Sequence, residues 1–148
     1  MKNGLTVDEI KEQFSKKEIT KISGEPNLKN VQKLEEEIQE NASNIDTSLG
    51  GGNHGHLGMV MPANDYLALS GTPFAAPQNP GYQPVFGPAV STAALREAAT
   101  NQWKEAQHHY DTHKNVMKAS RNQILEAVDG EYLQSIREHP LASKTFHH

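Results

Sequence analysis

Apolar residues recur along this chain at helical spacing in most places and break off at two conspicuous ones. Thr6-Val7-Asp8-Glu9 reads as a capping box. Ile10 and Phe14 follow four residues apart, on one face of a short helix. Glu18-Ile19-Thr20-Lys21-Ile22 is rich in β-branched residues and closes on the turn signal Ser23-Gly24-Glu25-Pro26, so it predicts a short extended segment. With Asn27 as N-cap, Leu28, Val31, Leu34, Ile38 and Ala42 step by three and four, which predicts an amphipathic helix. Glu35, Glu36 and Glu37 are expected to face water. Residues 41–53 hold Asn, Ser, Asp, Thr and Gly and predict a loop.

The first break is GGGNHGHLGMVMP, Gly50 to Pro62. His56 to Met61 reads as a brief extended run. Pro62 suits a helix start, because its missing N–H costs nothing there. Tyr66, Leu67 and Leu69 are the expected buried side of the helix that follows, and Gly71 its end. The second break is GTPFAAPQNPGYQPVFGP, Gly71 to Pro88, whose five prolines and three glycines forbid regular helix or central strand. It predicts a long loop with Phe74, Tyr82, Val85 and Phe86 as anchors, either packed on the helices or turned to a partner.

Ser91 or Thr92 can cap the next helix, and no proline or glycine appears from there to Val128. Trp103, Ala106, Tyr110, His113, Met117, Ser120, Ile124 and Ala127 alternate three- and four-residue steps. Half of them are polar or small, which suits a packing seam in a bundle better than a strong coiled coil. A break near Thr112 is one expectation. Asp129-Gly130 marks a turn. Glu131 to Glu138 reads as a last short helix with Tyr132, Leu133 and Ile136 inward, stopped by Pro140. The pattern as a whole predicts an all-α fold: a small helical bundle with one long helix, a Gly-rich turn and a long Pro-rich loop.

Composition narrows what such a bundle does. A length of 148 residues suits one domain of ordinary size. A hydrophobic share of 35% is low for a globular chain, which predicts a modest core and apolar faces buried against a partner. The net charge of −4 argues against nucleic-acid binding, which usually shows a basic stripe. The absence of cysteine excludes disulfides, thiol chemistry and thiolate zinc sites. The N-terminus lacks an apolar signal segment, and no stretch reaches transmembrane length. A cytoplasmic protein with no membrane contact is expected.

Candidate chemistry centres on the glycine-rich stretch. Gly50-Gly51-Gly52 has no following Lys-Ser/Thr, so a phosphate loop is discarded. No serine sits in a nucleophile elbow, and no enzymatic activity or cofactor is expected. His54 and His56 form an H-x-H pair whose rings share a side on an extended chain, and His109 and His113 lie four apart on a helix. Both spacings suit imidazole ligation, so a helical metal-binding protein using these four residues is an alternative. The competing structural reading has His54 and His56 hydrogen-bonding backbone within a turn, with His108, His109 and His113 on a helix surface. His147 and His148 are read as terminal residues or part of a tag.

Four stretches carry a family resemblance: TKISGEPN (Thr20–Asn27), VQKLEEEIQENAS (Val31–Ser43), LGGGNHGHLGMVMPANDYLALSGTPFAAPQNPG (Leu49–Gly81) and NQILEAVDGEYLQSIRE (Asn122–Glu138). Together they resemble the N-terminal region of Gag-like proteins of copia-type long-terminal-repeat retrotransposons. HGHLG is the most specific part, and Met59 and Met61 stand where leucine is usual. The resemblance implies a retroviral-type capsid N-terminal-domain-like fold and a structural protein that self-associates into retroelement particles. It implies that Gly50, Gly51, Gly52, His54, Gly55, His56 and Gly58 form a structural turn. Family members continue past this length into a basic RNA-binding part, so it also implies a fragment or degenerate copy, with RNA binding by this chain itself not expected. The expected organisation is an N-terminal helix or arm over 1–18, a helical capsid-like domain over 19–139 and a tail over 140–148. Homo-oligomer contacts are expected at Phe74, Tyr82, Trp103, Tyr110 and Met117, since aromatic residues anchor interfaces. A domesticated Gag-derived module that binds a host protein through the Pro-rich loop is a further alternative.

Overall fold

The computed structural model describes residues 4–86 and 92–132. Over these residues the architecture is all-α: α1 (Val7–Gln13), α2 (Leu28–Ser43), α3 (Ala63–Ser70) and the long α4 (Ala93–Ala127), with 3-10 turns at Leu57–Met59 and Gly130–Tyr132. The expected last helix is described only through Tyr132, which packs against the core. Leu133, Ile136 and the rest of that expectation, with the tail and His147 and His148, lie outside the described residues.

Each helix begins where its sequence signal lies. Thr6 and Glu9 form the reciprocal capping box of α1. Asn27 caps α2 by accepting from the Asn30 N–H at 2.9 Å, and Thr92 caps α4 by accepting from the Leu95 N–H at 3.2 Å. Pro62 precedes the first turn of α3, and Gly71, at φ +75°, ends it in the left-handed conformation that favours glycine. α4 runs unbroken through Thr112 for 35 residues, about 52 Å at 1.5 Å per residue.

The core forms where α1 and α2 pack on the C-terminal half of α4. Ile10 and Phe14, Val31, Leu34, Ile38 and Ala42, and Val116, Ala119 and Ala127 meet there. Ile22 joins them from the extended segment: its N–H donates to the Ala127 carbonyl at 2.7 Å, and it forms a parallel bridge with Val128. The segment before α1 is tied to the same helix, with Thr112 Oγ1 accepting from the Leu5 N–H and Asn115 Nδ2 donating to the Leu5 carbonyl.

Several positions differ from the pattern-based expectation. Leu28, Leu67 and Leu69 are exposed, Leu69 by 54%; α3 is short and rests its weight on Tyr66 alone. Glu37 is buried rather than wetted, because its carboxylate accepts from the Thr20 N–H at 3.1 Å and pins the extended segment to α2. Asn41 belongs to α2 and is fully buried, not in a loop. Its Oδ1 accepts from the Lys16 N–H, and its Nδ2 donates to the Lys16 carbonyl and to Gln123 Oε1. The α4 seam also differs. His113, Ser120 and Ala127 are buried as expected, but Val116, Ala119 and Gln123 take the places given to Met117 and Ile124, and no residue before Thr112 is buried.

Candidate functional site

The Gly-rich stretch is a turn docked on the C-terminal end of α2. The last carbonyls of a helix have no partner inside it and must find one elsewhere. Here the His56 N–H donates to the Ala42 carbonyl at 2.9 Å, and His56 Nδ1 donates to the Ile45 carbonyl at 2.7 Å. A carbonyl cannot donate, so Nδ1 carries the proton and the neutral ring holds its lone pair at Nε2. Residues 54–60 then coil as a 3-10 turn, with the Leu57 N–H on the His54 carbonyl and the Met59 N–H on the His56 carbonyl. The expected extended run over His56 to Met61 is absent, because those backbone groups are spent on turns.

The glycines are required by this docking in two ways. Gly55 has φ +52°, and a Cβ there would press on the carbonyl oxygens of Ser43 and Ile45. Gly50 and Gly58 leave room for aromatic rings: a Cβ on Gly58 would come within 2.6 Å of Phe74 Cγ, and one on Gly50 within 2.9 Å of Phe74 Cδ2. Gly51 and Gly52 turn the chain at φ +94° and +84°.

Four rings fill the space beneath the turn. Tyr66 donates its hydroxyl proton to the Gly50 carbonyl and meets Phe74 edge-on at a centroid distance of 6.0 Å. Phe74 stacks on His113 at 6.1 Å, and His56 lies 6.2 Å from both Phe74 and His113. The Ala75 N–H donates to the Leu49 carbonyl, holding the start of the Pro-rich loop against the turn. Thus α2, the glycine turn, α3, the loop and α4 all meet at one aromatic cluster.

His56 is 1% exposed, and its Nε2 has no hydrogen-bond partner. Burial is the main reason that its pKa falls below the ordinary histidine value, with the nearby His109 acting in the same direction. The bond to Ile45 and the carboxylate of Asp46 oppose that shift. A helix C-terminus favours an imidazolium, but desolvation wins here.

The two histidines of the H-x-H pair face different surroundings. His54 meets Tyr66 edge-on at 6.2 Å, whereas His56 faces Phe74 and His113. His109 lies beside the exposed Glu105, with Nε2 3.9 Å from its carboxylate. Among the described residues no group of three or more His, Cys, Asp or Glu could hold a metal ion, so the four imidazoles of the metal alternative do not converge. His113 is buried, as its place in the α4 seam implied, rather than on the helix surface; the ring that covers it, Phe74, lies 39 positions away and could not be read from the spacing.

The expected contact residues divide. Phe74 is half-buried in the cluster, and Trp103 is half-buried with its Nε1–H donating to the Gly81 carbonyl at 3.1 Å. Tyr110 and Met117 are half-buried along α4. Tyr82 is 99% exposed, with Val85 beside it also in solvent. No helix among the described residues is long and apolar enough to cross a membrane. No family model matches the chain, and no curated protein or solved structure is significantly similar to it.

Proposed function

We propose that this chain is a Gag-like structural protein, of the capsid-region type found with copia-type retrotransposons, which works by associating with copies of itself. The observation that carries this reading is the first half of α4, which is nowhere fully buried. From Ala93 to Asp111 the helix has no buried residue, although Ala93, Ala94, Leu95, Ala98 and Ala99 crowd its first two turns and Leu95 is 58% exposed. Most helical stability in proteins comes from packing a face rather than from propensity. A face of small and apolar side chains fits packing against another copy. The resemblance of Thr20–Glu138 to such proteins supports the same reading, with HGHLG as the turn that seats the loop and α3 on the end of α2. In this reading the chain is a cytoplasmic structural protein and not an enzyme.

Sedimentation velocity and negative-stain microscopy across a concentration series test it. Growth of oligomers or shells with concentration, weakened by Leu95→Glu, is the expected result. A monomer at every concentration overturns it. The exposure of Tyr82 and Val85 on the Pro-rich loop favours a second reading, a Gag-derived module that docks a host protein there, and a monomer whose partner binding is lost in Tyr82→Ala is its signature.

A further inference from the structure

Two recessed helix faces of opposite charge lie on the outside of the bundle. On α4, Lys114, Met117, Lys118 and Arg121 line a cavity of about 260 Å³. Their spacing of three, four and seven places three cations around one half-buried thioether on a single stripe. Leu125 extends the stripe by a turn and is exposed. Neither lysine nor the arginine has a carboxylate partner among the described residues. On α2, Gln32, Glu35, Glu36 and Gln39 line a depression of about 370 Å³, again on a single stripe, with Glu40 one position further on.

The two helices already pack on one another, but through other faces. α2 uses Val31, Leu34, Ile38 and Ala42, and α4 uses Val116, Ala119 and Gln123. On a helix of 3.6 residues per turn, the basic stripe falls on the side of α4 away from that contact, and the acidic stripe lies along one flank of the α2 contact face. The basic stripe of one molecule therefore cannot meet its own acidic stripe.

We propose that copies of this chain join head to tail, the basic stripe Lys114–Lys118–Arg121 of one copy seated on the acidic stripe Glu35–Glu36 of the next. The inference rests on the self-association proposed above and gives it a polarity. The net charge of −4 makes copies repel at long range, so approach is favoured only where a positive patch meets a negative one. Met117 and Leu125 supply apolar contact, the Gln32 amide can donate or accept around the ion pairs, and Gln39 Nε2, which donates to Glu35 Oε1, orients that carboxylate. In such a head-to-tail contact every added copy leaves one stripe of each sign open, and growth continues into a ring or a chain.

Two charge-reversed proteins test this: Lys118→Glu with Arg121→Glu, and Glu35→Lys with Glu36→Lys. Glu36, Lys118 and Arg121 are exposed and Glu35 is half-buried, and helical circular dichroism and Tm check that each protein is folded. Sedimentation velocity at low salt should show each protein associating at least roughly ten-fold more weakly than wild type. An equimolar mixture should regain assembly, since each protein then presents stripes opposite in sign to those of the other. A chain carrying all four reversals should regain assembly. Should a reversed protein fail to fold, Lys118→Gln with Arg121→Gln and a salt titration of wild type serve instead; association that salt leaves unchanged overturns the contact. Wild-type assembly by both reversed proteins overturns this contact while leaving self-association standing. A wild type that is monomeric throughout overturns both. Loss of binding to a short RNA in the first protein, with assembly intact in the second, assigns the basic stripe to an anion and overturns the contact.

Discussion

His56 donates its Nδ1 proton to the Ile45 carbonyl at 2.7 Å from a ring that is almost wholly buried. This bond joins the glycine turn to the end of α2 and fixes the neutral tautomer. The remaining nitrogen, Nε2, is buried without a hydrogen-bond partner, in a ring 6.2 Å from those of Phe74 and His113.

The first prediction concerns pH. The folded state holds the His56 pKa below its ordinary value, near 6.5 when unperturbed, so the unfolded chain takes up a proton more readily. His56 therefore leaves stability undiminished above about pH 6.5, and stability falls as pH drops from there toward the lowered folded value. The nearby His109 acts in the same direction as burial, while Asp46 opposes. Urea unfolding between pH 5 and 8 should show this slope. In His56→Asn, whose amide can replace Nδ1–H, the slope should shrink while stability at pH 7.5 drops by about 1–2 kcal/mol. An unchanged slope would show that another group sets the pH dependence.

Gly55 and Gly52 make a matched pair. Both have positive φ, but a Cβ at Gly55 meets two carbonyl oxygens, whereas at Gly52 it meets open space. Gly52→Ala should cost only the backbone term, about 1 kcal/mol, and Gly55→Ala at least about 2 kcal/mol. Equal losses in chemical denaturation would mean that the turn is not seated on α2.

Gly58 and Phe74 should couple. Gly58→Ala drives a methyl into the Phe74 ring and should destabilise by about 1–3 kcal/mol. Phe74→Leu alone should cost about 1–2 kcal/mol, because the ring is only half-buried. The double variant should be more stable than the sum of the two losses by roughly 0.5 kcal/mol or more. Strict additivity in the thermodynamic cycle would place Phe74 away from the turn.

Asn41 holds three hydrogen bonds between α2, Lys16 and α4. Asn41→Ala removes two partly buried bonds to the Lys16 backbone and the buried partner of Gln123 Oε1 and should cost about 2–4 kcal/mol. Amide hydrogen exchange should accelerate at Lys16 well before global unfolding. Retained protection there would sink this account of the strap between α1 and α2.

The sequence by itself determined where the helices start and where α3 ends. Capping boxes, N-cap side chains and a left-handed glycine act within a few residues, so Thr6, Asn27, Thr92 and Gly71 could be read directly. The amphipathic face of α2 was equally legible, because burial repeats with the helix period. Tertiary structure decided everything that depends on which face meets which. Val116 and Ala119 are buried in place of Met117 because α1 and α2 approach α4 from that side, and nothing in α4's own pattern selects it. Glu37 and Asn41 are inside because distant backbone groups at Thr20 and Lys16 needed partners that only a folded chain could supply. The histidines show the division most plainly. Their spacing allows a metal site or a turn, and the turn results because a buried carbonyl at Ile45 binds the proton of His56 while Phe74 and His113 close around the ring.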